Sequence, residues 1–77
     1  MRISIIGLGL IGGSMGLALR NWAKTEEGQS ANLELVGFDA KGKQKALADK
    51  MGIFHRYTNT PMDAVKDADI IIVATPV

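Results

Sequence analysis

The sequence contains no cysteine and a single histidine, His55. That removes disulfides, thiolate chemistry and Cys-based zinc or iron–sulfur sites, leaves no imidazole cluster for a metal, and suits a reducing compartment. Aromatic residues make up 5% of the chain, too few for a surface that stacks RNA bases. Charge of one sign is also missing. Nine Lys and Arg against eight Asp and Glu leave a net +1, so no strong field gathers nucleic acid, an anionic membrane or an acidic partner. A length of 77 residues excludes a large two-domain enzyme, because such a chain makes one small domain burying about two-thirds of the surface it exposes when unfolded. What remains, 47% hydrophobic and 22% charged residues, is the composition of a folded globular unit, with residues 1–77 taken as the N-terminal part of a single domain.

The nearest thing to a long apolar run is the N-terminus, where Met1-Arg2 precedes uncharged residues from Ile3 to Leu19 and has the outline of a signal peptide. Gly7, Gly9, Gly12, Gly13 and Gly16 interrupt it, weakening it as an apolar helix and leaving it short of the ~20 residues that a bilayer requires. It reads as mature structure, with a cytoplasmic location and no membrane partner.

Strand and helix signals alternate. Arg2 to Ile6 is a short β-branched run that stops at glycine, as a buried strand does. From Leu10 to about Ala23, apolar residues Ile11, Met15, Ala18, Leu19 and Trp22 fall at offsets of three and four, which predicts an amphipathic helix with that set on its packed face. Residues 25–32 (TEEGQSAN) lack periodicity and read as an exposed loop. Leu33 to Phe38 returns to strand composition. Lys41 to Met51 is helical with Ala46, Leu47 and Met51 on one side, and Gly52 is the expected C-cap. A short third strand falls within Ile53 to Tyr57, and Thr60-Pro61 starts a brief helix through Lys66. Asp69 opens a last strand whose core, Ile70 to Ala74, is apolar without alternation, implying cover on both faces. This is an α/β pattern of the Rossmann type, a partial doubly wound parallel sheet of strand order 3-2-1-4.

Gly7-Leu8-Gly9-Leu10-Ile11-Gly12 is a G-x-G-x-x-G that follows a predicted strand and opens a predicted helix, the context this pattern needs. Gly7 permits the tight turn, Gly9 lets a pyrophosphate approach the backbone, and Gly12 lets the helix pack close to the sheet, with Gly16 one turn further on that face. The free N–H groups near Leu10 to Gly13 and the positive end of the helix dipole suit the pyrophosphate without any charged side chain. Asp39, ending the second strand, can accept hydrogen bonds from ribose hydroxyls and repels a 2′-phosphate, which favours NAD; Lys41, Lys43 and Lys45 leave NADP open. Asp39 follows Gly12 by 27 residues against the usual ~20, with residues 25–32 as the insertion. Thr75, past the last strand, is within reach of a cofactor bound at the carboxyl ends of the strands.

Blander readings compete with these. A glycine-rich turn can be a packing device alone. Residues 37–44 (GFDAKGKQ) match a Walker A loop except that Gln44 replaces the Ser or Thr that holds magnesium, and Asp39 would set a carboxylate beside phosphates. The three lysines read as a solvated helix face. His55 reads as a surface or turn residue, and Met15, Met51, Met62 and Trp22 as core or partly buried packing. Asp63, Asp67 and Asp69 cluster in sequence but read as helix-start and turn residues rather than metal ligands.

The stretches GLGLIGGSMGLAL (residues 7–19), GFD (37–39) and DADIIIVATPV (67–77) resemble the start of a prephenate or arogenate dehydrogenase of tyrosine biosynthesis, over the whole chain. GLGLIGGS is the most particular piece. The closing strand and the tail from Ala74 to Val77 are shared with the 3-hydroxyacid and pyrroline-carboxylate reductases, which makes another reductase of this cofactor fold, or a non-catalytic nucleotide-binding fragment, the alternative. The resemblance implies an NAD(P)-dependent oxidative decarboxylation, with hydride leaving the ring carbon that bears the hydroxyl. It implies cofactor contacts at Gly7, Gly9, Leu10, Ile11, Gly12, Asp39 and Thr75. The catalytic histidine, substrate-binding residues and helical dimerisation domain of such enzymes lie beyond the position matching Val77, so no catalytic residue is assigned, His55 included, and a small-molecule substrate is expected only for a complete enzyme. The apolar Asp69 to Thr75 strand is then expected at a sheet edge, where it favours self-association.

Overall fold

The structure, a computed structural model, describes residues 1–74; the Thr75 assignment lies outside them. Four strands, β1 (Arg2–Ile6), β2 (Glu34–Phe38), β3 (Arg56–Tyr57) and β4 (Ile70–Val73), form one all-parallel sheet of order β3-β2-β1-β4. Four helices connect them: α1 (Leu10–Trp22), α2 (Glu26–Ala31), α3 (Gly42–Met51) and α4 (Pro61–Val65). This is the partial Rossmann-like sheet expected from the alternation of signals. The chain steps outward from β1 to β3 and then returns to the other side of β1, so the order reverses between β1 and β4, and the carboxyl ends of β1 and β2 open beside that reversal.

Alternation along the strands divides two layers. Ile3, Ile5 and Leu35 join Leu8, Leu33, Ala48, Ile53 and Phe54 in one buried cluster. Ser4, between Ile3 and Ile5, turns to the other face, where its buried hydroxyl donates to the Ala64 carbonyl of α4. Phe54 explains two glycines. A Cβ at Gly16 would lie 2.7 Å from Ile53 Cγ2 and 3.0 Å from Phe54 Cζ, and one at Gly37 would lie 3.0 Å from Phe54 Cγ. The ring thus occupies the space that side chains on α1 and β2 would need.

The packed face of α1 differs from the expected one. Its buried residues are Gly12 and Gly16, followed by the partly buried Leu19 and Ala23, whereas Ile11, Met15 and Trp22 face outward. The helix approaches the sheet on its smallest residues, and closeness decides over hydropathy. In α3 likewise Ala48 is buried while Leu47 and Met51 are exposed, and Met62 on α4 is 78% exposed; the reading of Met15, Met51, Met62 and Trp22 as core or partly buried packing is corrected accordingly, most clearly for Met51 and Met62.

Residues 25–32 are not a loop. Glu26–Ala31 is helical, with the Thr25 hydroxyl accepting from the Gly28 amide at 3.1 Å, two acids in the first turn and Asn32 left-handed at φ 51°. The third strand is shorter than expected, because Ile53 and Phe54 serve as core plugs ahead of it. Gly52 closes α3 in the left-handed region and Thr60-Pro61 opens α4, both as expected. Among the described residues no helix is long and apolar enough to cross a membrane.

His55 is exposed, yet tied down. Its main-chain N–H donates to Leu35 O, Leu35 N–H donates to its Nδ1, both at 2.9 Å, and its Nε2 lies against the Arg20 guanidinium. Burial of the ring, and then the Arg20 charge, hold the imidazole below its ordinary 6.5, with Glu34 pulling the other way. A depressed folded-state value means that the unfolded chain takes up the proton first: this contribution to stability is full above pH 6.5 and is lost as pH falls from there through the folded value. Urea midpoints measured between pH 7.5 and pH 5.5 are expected to fall in the parent chain and to fall less in His55→Gln; equal slopes would refute the assignment.

Cover on both faces of β4, implied by its composition, is not found among the described residues: Ile70, Ile71 and Val73 are exposed, and Ile72 alone is partly buried against the core. Its outer edge has no partner strand among the described residues. An apolar edge with unpaired main-chain groups is a template for a further strand. Sedimentation at high micromolar concentration is expected to give a dimer, and Ile71→Lys with Val73→Lys to shift it to monomer. A parent chain that sediments as a monomer throughout sinks this prediction.

Candidate functional site

The end of β1 and the start of α1 are built around one contact. Gly7 sits at φ 99°, a region that a side chain disfavours, and its N–H donates to Phe38 O at 2.8 Å, holding the turn to the end of β2. The chain then doubles back so tightly that a Cβ on Gly12 would lie 1.9 Å from Gly7 O. No rotamer change relieves a clash with backbone. Gly9, the N-cap of α1, carries no capping side chain. The amides of Gly9, Leu10, Ile11 and Gly12 meet no acceptor among the described residues; the first helical bond runs from Gly13 N–H to Gly9 O at 2.8 Å.

Asp39 stands across from this turn. Its Oδ2 accepts from the Leu8 amide at 2.6 Å, and its Oδ1 accepts from the Lys41 amide at 2.7 Å. The side chain therefore binds the glycine turn to the β2–α3 connection. Each oxygen keeps a further lone-pair direction for an outside donor. Between the two lies an open groove of about 670 Å³, lined by Gly7, Gly9, Leu10 and Ile11 on one side, Asp39, Ala40, Lys41 and Gln44 on the other, and the strand-end residues Ile6, Phe38 and Ala74.

Five of the sequence-derived positions, Gly7, Gly9, Leu10, Ile11 and Asp39, line this one groove. Gly12 does not line it and sits behind, against Gly7. Two participants were not anticipated. The Leu8 amide binds Asp39, a contact with no side-chain signature in the sequence. Gln44 lies beside Gly9, and its approach depends on how α3 folds over the groove. Lys43 is exposed, and Lys45 lies 6.0 Å above the Tyr57 ring, so of the three lysines only Lys41 borders the groove. Asp69 is engaged elsewhere, accepting from the Arg2 amide at 2.7 Å.

No family model matches the chain. Among curated proteins it is 36% identical over 75 residues to a prephenate dehydrogenase of Bacillus subtilis, covering 97% of this chain and 18% of that protein. It is 39% identical over 75 residues to ketol-acid reductoisomerases (NADP(+)) of Saccharolobus islandicus and Saccharolobus solfataricus, covering 97% of this chain and 19% of each. The chain therefore spans about a fifth of the length of the relatives it matches. Those relatives are oxidoreductases, and the likeness relates this chain to the N-terminal, nucleotide-binding part of such enzymes.

The two central glycines make opposite demands. Gly12→Ala must push α1 off the turn and is expected to destabilise the fold by about 1–3 kcal/mol. At Gly9, with φ −68°, an added Cβ would meet nothing closer than the Gln44 side chain at 3.6 Å. Gly9→Ala is expected to unfold within about 0.5 kcal/mol of the parent in urea. Equal losses for both would refute this division.

Proposed function

We propose that the chain holds the adenosine diphosphate part of a nicotinamide dinucleotide, and that it does so as the N-terminal portion of a prephenate or arogenate dehydrogenase. The carrying observation is the bond from the Leu8 amide to Asp39, because it puts a carboxylate acceptor on the groove that the unpaired amides at the start of α1 also line. The N–H groups of Gly9, Leu10 and Ile11, unpaired among the described residues at the positive end of a 13-residue helix, suit a diphosphate, and Gly9 presents bare backbone to it. The Asp39 carboxylate, already oriented by two main-chain donors, accepts from the 2′- and 3′-hydroxyls. The residues present thus fit the group. When bound, the nicotinamide supplies a hydride acceptor; the chain's own residues bind and orient it and assign no proton transfer.

Asp39 carries the preference for NAD, since a 2′-phosphate would face its charge. Lys41 on the same rim softens that preference. The dehydrogenase reading rests on the GLGLIGGS stretch and the 36% identity to the Bacillus protein. The comparable identity to NADP(+)-linked reductoisomerases favours, as the second reading, a ketol-acid reductoisomerase front end.

Calorimetry with NAD and NADP side by side tests the binding claim. The expectation is micromolar to millimolar affinity for NAD and at least about ten-fold weaker binding of NADP. Asp39→Asn is expected to narrow that gap about ten-fold, and Gly9→Ala to weaken both ligands while the chain stays folded. A folded parent chain that binds neither dinucleotide overturns the proposal.

A further inference from the structure

The residue that the Walker-like stretch leaves unexplained is Gln44. It is the third residue of α3, half-buried, with its main-chain N–H donating to Lys41 O at 3.1 Å. Its side-chain amide extends over the glycine turn: a Cβ built on Gly9 would lie 3.6 Å from Gln44 Oε1 and 3.8 Å from Nε2. Among the described residues that amide makes no hydrogen bond. It also lines a second, apolar cleft of about 320 Å³ between α1 and α3, alongside Leu17, Leu47 and Met51. Gln44 therefore borders both clefts, as Gly9 and Leu10 do.

We infer that Gln44 is a diphosphate-binding residue, its side-chain NH₂ closing over the phosphates from α3 while the α1 amides hold them from below. The inference rests on the dinucleotide reading above and adds a residue and a direction to it. A primary amide offers two donors without charge, so it faces phosphate oxygens with neither the desolvation cost of a buried ammonium nor the repulsion of a carboxylate. Position matters as much as chemistry. In a phosphate loop of the Walker kind, the residue at this place holds magnesium through a short hydroxyl. Here the helix that residue opens cannot take the phosphates at its own N-terminus, because Asp39 stands ahead of it with both oxygens on main-chain amides. The longer glutamine reaches past that obstruction to the neighbouring helix start, where acceptors are absent and Gly9 leaves room.

The test compares Gln44→Met, which keeps length and removes the donors, with Gln44→Glu, which keeps shape and adds charge. An acid in the first turn of α3 suits the helix dipole, so Gln44→Glu is expected to melt no lower than the parent, and any lost affinity is then local. NAD and ADP are titrated by calorimetry, with adenosine as the ligand lacking phosphate. Gln44→Met is expected to weaken NAD and ADP about ten-fold, and Gln44→Glu about a hundred-fold, with adenosine changed less than about two-fold. If the parent binds NAD, Asp39→Asn alters that binding and Gln44→Glu leaves it unchanged, the inference fails while the functional reading stands. If the parent binds neither NAD nor ADP, both fall together.

Discussion

The contact between Gly12 and the carbonyl of Gly7 governs the rest. α1 starts within touching distance of the turn that precedes it, and because its N-cap is a glycine its first amides have no capping side chain and no main-chain acceptor among the described residues. A Ser, Thr or Asp at that position would satisfy one of those donors from within the chain. Closeness at Gly12 buries the glycine face of α1 against the sheet, and the missing cap at Gly9 leaves an anion-seeking end open to the groove.

Asp39 turns that open end into a shaped site. A carboxylate at a strand end with no internal partners would be free to rotate; here one oxygen is fixed by the β2–α3 connection and the other by the glycine turn. Charge-assisted bonds of this length are among the stronger ones available to a partly buried group. The same two bonds couple the turn after β1 to the turn after β2, so a displacement of either tilts the acceptor relative to the donors. The ion pair of Arg2 with Glu34 at 2.6 Å lies at the opposite end of the strands, partly exposed to solvent, and adds only modestly to stability.

The sheet order, the parallel arrangement and the positions of β1, β2, α1 and α3 were legible because they follow from local signals: β-branched runs that end at glycine or aspartate, and a glycine pattern with fixed meaning. The packed faces were less so. Periodicity placed Ile11, Met15 and Trp22 toward the sheet, whereas α1 turns Gly12 and Gly16 there, since hydropathy cannot register a face whose function is to have no side chains. Helix α2 was overlooked although Thr25 followed by Glu26 and Glu27 is a start signal; Gly28 in its first turn masked it, and that glycine is there because a Cβ would lie 2.1 Å from Trp22 O. Within the groove, what could be read were residues whose type carries the chemistry, Gly9 and Asp39. Main-chain donors such as Leu8, and side chains delivered by packing such as Gln44, have no type signature.

Likeness to both a dehydrogenase and a set of reductoisomerases has a physical basis in the same distinction. The matched region contains the turn, the helix start and the acidic strand end, features that suit a diphosphate and a ribose whatever substrate is oxidised or reduced. Relatives with unlike printed activities therefore match the same stretch at comparable identity. Outside those features the chain has more freedom. Helix α2 lengthens the interval from Gly12 to Asp39 to 27 residues and leaves Asp39 on the groove's rim, with Gly12 packed behind it against Gly7. The side-chain amide of Gln44, without a hydrogen bond among the described residues, stands beside Gly9 as a further polar group on the same groove.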